Sequence, residues 1–241
     1  VQADDWIFPE CVEKMVRMAI RYPEVGIVGA YGLFGSKVLL SGVPIESAVL
    51  PGREICRKCL LEELFVFGTP TSLLMRCDLI RKRVPFYREV SPFEDLEACY
   101  EILQESDFAF VHQVLTYTRR DNESIFSAIR SYGTEDLANL IVAWRYSPIF
   151  LNAEESRSVI KSTERQYYRT LGKKVLHGTT KKFWDFHKRG LRSINCQLNL
   201  PRLALAVIGA TFDLVLNPLH PSKRLFAKVR SLIRQKGDSQ V

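Results

Sequence analysis

Two pairs of adjacent acids stand out among the residues able to do chemistry. The chain opens Val1-Gln-Ala-Asp-Asp-Trp-Ile-Phe-Pro9, and Asp4-Asp5 sit at the end of an apparent strand, ahead of a run with helical spacing. Two carboxylates at the carboxyl end of a strand lie at the edge where open α/β sheets bind ligands. Hard oxygens of this kind suit Mg²⁺ or Mn²⁺, and such a cation neutralises a diphosphate. The second pair, Glu94-Asp95, falls within Pro92-Phe-Glu-Asp-Leu96 at the start of a helical pattern. The helix dipole favours an acid there, and a carboxylate held over a cleft can take a proton from a hydroxyl.

Between the pairs, Phe67-Gly-Thr-Pro-Thr-Ser72 is a small-residue turn whose Gly68 and Thr69 would let a substrate approach the backbone. Beyond them, Arg119 and Arg120 could pair with phosphate bidentately. Each feature also has a plainer reading. Asp4 and Asp5 could cap a helix, Glu94 and Asp95 could be ordinary first-turn residues, Gly68 could belong to a hairpin turn, and the arginines could be a solvated strand end.

The elements that must position these residues follow from periodicity. Val12, Met15, Val16, Ala19 and Ile20 recur at helical spacing, and Arg21-Tyr-Pro closes the run. Val25–Tyr31 is a glycine-bounded apolar run suited to a strand buried on both faces. Residues 32–60 carry turn residues between short apolar runs and read as a hairpin or a long surface excursion. Residues 64–76 read as strand, turn and extended segment, followed by a short helix from Asp78 with Arg81, Lys82 and Arg83 facing solvent. Residues 94–105 form a helix with Leu96, Cys99, Tyr100 and Leu103 on one side, and 108–111 and 114–119 read as two strands. His112, within that run, reads as a core or edge residue. Helices are predicted over 134–146, 153–171, 180–193, 201–216 and 221–236.

The fold class is therefore α/β with a mixed, Rossmann-like sheet over residues 1–130, followed by an all-helical region over 131–241. Charge divides at the same place. The 241 residues carry a formal net charge of +7. Residues 1–130 hold 15 Lys and Arg against 19 Asp and Glu, a net −4, while 131–241 hold 19 against 8, a net +11. With 46% hydrophobic and 25% charged residues, composition excludes a disordered, collagen-like or disulfide-scaffold chain. Six cysteines with no signal-like opening fit a reducing, cytoplasmic compartment. Cys56 and Cys59 have metal-ligand spacing, but no second pair or nearby histidine completes a tetrahedral set.

Taken in order, the double Asp with Trp-hydrophobe-x-Pro, the Val-Gly-Ile-Val-Gly strand, the Gly-Thr-Pro-Thr-Ser turn, Glu94-Asp95 at a helix start and the Tyr-Thr-Arg-Arg-x-Asn-Glu-Ser loop resemble the second half of a family 2 glycosyltransferase catalytic domain. The resemblance implies a glycosyltransferase-A fold that moves a sugar from a nucleoside-diphosphate sugar to a glycan, lipid-linked or other acceptor hydroxyl, with inversion. It implies that Asp4 and Asp5 hold the divalent cation (Mn²⁺ or Mg²⁺) and the donor, that Asp95 deprotonates the acceptor, and that Glu94, Gly68, Thr69, Arg119 and Arg120 contact substrate. The chain departs from the family pattern at Gln2, where the first acid of Asp-x-Asp would stand, and at Arg119-Arg120-Asp121, where the family often has Arg-x-His. The strands that grip the nucleotide base would lie ahead of Val1. The alternative is a non-catalytic remnant of the fold that serves as an interaction module.

In the basic half, residues 202–219 are apolar but interrupted by Asp213 and too short to span a bilayer. In the helix predicted over 221–236, Leu225, Phe226, Val229, Leu232 and Ile233 share one face and Lys and Arg the other. Residues 201–236 thus suit either packing on the chain's own domain or peripheral contact with the inner face of a membrane. No motif accompanies the charge to suggest a nucleic-acid partner.

Overall fold

In a computed structural model, which describes residues 5–87, 93–119 and 132–216, the first described elements are a two-residue strand, β1 (Trp6–Ile7), and helix α1 (Cys11–Arg21). There follow β2 (Val25–Phe34), β3 (Lys37–Leu39), β4 (Val49–Leu50), α2 (Gly52–Leu60), a 3₁₀ turn (Pro70–Ser72), β5 (Leu73–Met75), α3 (Cys77–Arg81), α4 (Glu94–Ile102) and β6 (Asp107–Thr118). Four helices complete the described chain: α5 (Thr134–Phe150), α6 (Ala153–Leu176), α7 (Lys181–Arg192) and α8 (Leu200–Leu216).

The six strands form one mixed sheet, so the α/β class holds. Its centre is the parallel pair β2 and β6. β1 and β4 both run antiparallel to β6, at Thr116–Tyr117 and Phe108–Ala109, and so lie end to end along its outer edge. β3 and β5 do the same along β2, at Gly32–Phe34 and Ile27–Gly29. Successive side chains of the central strands point to opposite faces. Val25, Val28, Ala109 and Leu115 meet Cys11 and Met15 of α1 on one face. Ile27, Phe108 and Phe110 meet α2, α4 and α5 on the other, through Ile55, Cys56, Cys99, Tyr100, Ile102 and Val142.

Several elements differ from expectation for identifiable reasons. The 32–60 stretch does begin as a hairpin, with Gly35 at φ 61° in the two-residue loop between paired Phe34 and Lys37. Its second part is not a surface excursion but α2, with Ile55, Cys56 and Leu60 buried. That helix starts where Gly52 donates its N–H to the Asp107 carboxylate at 3.0 Å. A Cβ on Gly52 would lie 2.0 Å from the Ser106 carbonyl oxygen. The two strands expected over 108–119 are one, β6, with an irregularity where Ala30 pairs Val111 and Tyr31 pairs Val114. His112 and Gln113 are the extra residues that break the pattern. His112 is half-buried, its ring 3.0 Å from the Tyr31 hydroxyl. Arg83 does not face solvent: it is largely buried and bonds Glu101 at 2.7 Å.

The helices after residue 131 do not stand apart from the sheet. One side of α5 contributes Val142, Tyr146 and Phe150 to the core beneath α2 and α4. Its other side, with Leu137, Leu140 and Ile141, packs against Tyr167, Leu171, Phe183 and Leu191 of α6 and α7. A helix buried on both sides carries apolar residues all round, which is why the heptad-like stripe of a surface helix is missing from it. α6 begins with a capping box in which Asn152 accepts from the Glu155 N–H and Glu155 accepts from the Asn152 N–H. The helix predicted over 221–236 and the loop at 120–124 lie outside the described residues. Among the described residues no helix is long and apolar enough to cross a membrane, and all six cysteines are free.

Candidate functional site

β1 pairs Trp6 with Tyr117 and Ile7 with Thr116, and the Phe8 N–H donates to the Leu115 carbonyl at 2.9 Å. This pairing fixes Asp5 beside the carboxyl end of β6. Asp5 therefore immediately precedes a strand, and the residues ahead of it lie outside the described ones. Asp5 does not cap a helix, because α1 starts only at Cys11, after Glu10, with no side-chain cap. Asp5 is 5% exposed. Its Oδ2 accepts from Thr69 Oγ1 at 3.3 Å, while Oδ1 is buried with no partner among the described residues. A buried carboxylate oxygen without a donor is costly, so this half-satisfied group is the most pointed feature of the edge. Thr116 Oγ1, on β6 opposite Ile7, is likewise buried without a partner among the described residues.

On the same edge the Trp6 and Tyr117 rings stack with centroids 5.1 Å apart, and the Arg119 guanidinium stands 5.8 Å from the Trp6 ring centroid. That cation–π contact holds Arg119 at the end of β6. Asp5, Thr69 and Arg119 are thus gathered around β1. Asp4 and Arg120 lie outside the described residues. The bare Cα of Gly68 is explained by packing within the chain, since a Cβ there would come 2.9 Å from Leu40 Cδ1 and 3.0 Å from Ser72 Oγ.

Glu94 and Asp95 occupy the first turn of α4. Asp95 Oδ1 accepts the Leu96 N–H at 2.9 Å. Burial lifts the Asp95 carboxyl above the ordinary aspartate value, and the backbone N–H groups of Leu96 and Asp95 only partly offset it. Tyr87, which sequence reasoning did not single out, stands close enough to sense both acids. Its phenol is raised by burial first, then by the charges of Asp95, Cys99 and Glu94. One segment links the two halves of the site. Thr69 bonds Asp5, and two residues earlier Phe67 meets the Tyr100 ring of α4 edge-on with centroids 5.5 Å apart.

Sequence reasoning also missed how α4 is held. Glu97 is buried on its inner side, and its Oε2 accepts from Arg145 and stands 3.2 Å from the Tyr146 hydroxyl, both of α5. Glu101 takes the Tyr146 hydroxyl at 2.9 Å and Arg83 at 2.7 Å. Partners this distant in sequence leave no local pattern.

Asp5 offers one hard oxygen suited to a divalent cation. Among the described residues no group of three or more His, Cys, Asp or Glu side chains stands close enough to hold a metal ion. Cys56 and Cys59 pack as core thiols. Burial raises both, Cys59 to about 12, so neither is a thiolate at neutral pH. Set against models of known protein families and against curated proteins, the chain matches none.

Proposed function

We propose that the chain is the acceptor-side part of an inverting, metal-dependent glycosyltransferase of the family 2 kind, with a glycosyltransferase-A fold. The observation that carries this reading is Asp5, a carboxylate buried at a sheet edge with one oxygen held by Thr69 and the other unpartnered among the described residues. Such an oxygen fits a ligand to Mg²⁺ or Mn²⁺, with Asp4 beside it in sequence. A bound cation would offset the charge that the departing nucleoside diphosphate carries.

In this reading Asp95 accepts the proton of the acceptor hydroxyl. The acceptor oxygen then forms its bond to the anomeric carbon as the bond to the diphosphate oxygen breaks, and in-line attack inverts that carbon. Raised by burial, the Asp95 carboxylate is a stronger base than an exposed aspartate. Thr69 orients Asp5, and Arg119 presents a cation near the diphosphate. Glu94 and Gly68 would border the acceptor.

The test is nucleoside-diphosphate release from a panel of nucleoside-diphosphate sugars with Mn²⁺, using the chain together with any residues its gene encodes ahead of Val1. Asp95→Asn should lower kcat by at least ~100-fold with little change in donor KM. Asp5→Asn should weaken dependence on Mn²⁺. Equal turnover in wild type and Asp95→Asn removes Asp95 as base. If neither donor nor cation binds by calorimetry, the non-catalytic interaction module becomes the better reading.

A further inference from the structure

We infer that the face formed by α6 and α8 is a docking surface for an anionic phospholipid bilayer. The inference goes beyond the sugar-transfer reading and does not rest on it.

α8 is held to α6 by close backbone approach: a Cβ on Gly172 would fall 2.5 Å from the Ala206 carbonyl oxygen. With Ala206 and Ala210 turned inward, the outer side shows Leu205, Ile208, Phe212 and Val215 at 69%, 52%, 61% and 68% exposure. Their spacing of i, i+3, i+7 and i+10 makes one apolar stripe along a helix of 17 residues, about 25 Å long. That length is too short to span a bilayer and sufficient to lie along its interface.

Beside the stripe runs a row of cations. Arg157, Lys161, Arg165, Arg169 and Lys173 follow one another at four-residue intervals on α6, and all five are exposed. Four of them line the groove of about 580 Å³ that Leu205 and Gly209 of α8 also line. The two acids in that groove are already engaged, Glu164 by Arg202 and Asp213 by Arg169 at 3.8 Å. Arg157, Lys161, Arg165 and Lys173 have no acidic partner among the described residues.

The charge selects the occupant. A second copy would bring its own basic row against this one, and residues 217–241, with six Lys and Arg against one Asp, would add cations to this surface even with their apolar face turned inward. Both are disfavoured by like-charge repulsion. An extended anionic surface with an apolar interior satisfies cations and stripe together, the apolar side chains entering among the acyl chains while the cations meet lipid phosphates.

Cosedimentation of the full chain with vesicles tests this. Phosphatidylglycerol-containing vesicles should carry the protein down, pure phosphatidylcholine vesicles should not, and high salt should release it. Both Lys161→Glu with Arg165→Glu and Ile208→Glu with Phe212→Glu should cut partitioning at least ~10-fold while leaving the thermal melt unchanged, since all four side chains are exposed. A Phe212→Trp variant gives a second readout: its emission should be that of an exposed indole in the free protein, then shift blue and be quenched by brominated lipid on binding. The inference is overturned by equal binding to neutral vesicles, by doubles that bind like wild type, or by an already blue emission without lipid that would show the stripe covered by the chain itself or a second copy.

Discussion

Asp95 is pulled in two directions. Its carboxyl is raised by burial, so the folded state favours the protonated form more than the unfolded state does. A group of this sign adds to stability below the ordinary aspartate value and loses that contribution as pH rises through its folded value, leaving a cost at neutral pH. Asp95→Asn should therefore raise Tm at pH 7 and lose the gain in acid; a lower Tm at pH 7 would refute the burial argument. His187 has the opposite consequence for acid stability. It is buried, its Nε2–H donates to the Tyr132 carbonyl at 2.8 Å, its Nδ1 is 3.1 Å from the Tyr167 hydroxyl, and burial pulls it down to about 4. Unfolding lets it take up a proton nearer 6.5, so stability should fall by roughly 3 kcal/mol as pH drops from about 6.5 to about 4. Urea melts of wild type and His187→Gln across that range should converge in acid. The candidate carboxylates were visible in the sequence as paired acids, but their burial was not, because Thr69, Tyr87 and Leu96 act on them only once the chain is folded.

α2 and α4 owe their places to partners far along the chain. Gly52→Ala would drive a methyl group into the Ser106 carbonyl, and backbone cannot step aside as a flexible side chain can. The change should destabilise by about 2–3 kcal/mol in denaturant titration. Arg145→Met would strand the buried Glu97 carboxylate, at a cost of about 3 kcal/mol, and loosen the helix that carries Asp95. Hydrogen exchange at α4 amides should rise in that variant more than at α1. Periodicity found α1, β2 and α4, and Ser-Pro, Leu-Gly, Asn and Pro breaks marked out the four later helices. It failed at α2, where Ile55, Cys56, Cys59 and Leu60 give only a turn and a half of pattern amid glycines and prolines, and the capping Asp107 stands 55 residues away.

For the molecule entire, α5 belongs to two cores at once, that of the sheet and that of the later helices. Val142, Tyr146, Phe150 and Leu151 fill the space beneath α2 and α4. Ending the chain at Ser131 exposes that core, and the loss of four large apolar side chains, each worth about 2–5 kcal/mol, exceeds the margin of an ordinary domain. Such a chain should show no cooperative thermal transition by circular dichroism. The central pair of strands carries a different consequence, one of timing. β2 and β6 begin pairing at Val25 with Asp107, so the sheet closes over a loop of some eighty residues. Non-local parallel pairing of this kind is slow, because loop closure precedes the contacts that reward it. On the ribosome, β2 is made long before β6; β3 and β5 can cover one edge as they emerge, but the edge that β6 takes stays open to the wrong neighbour, which makes the interval before Thr118 emerges the stretch of synthesis in which a chaperone has most to protect.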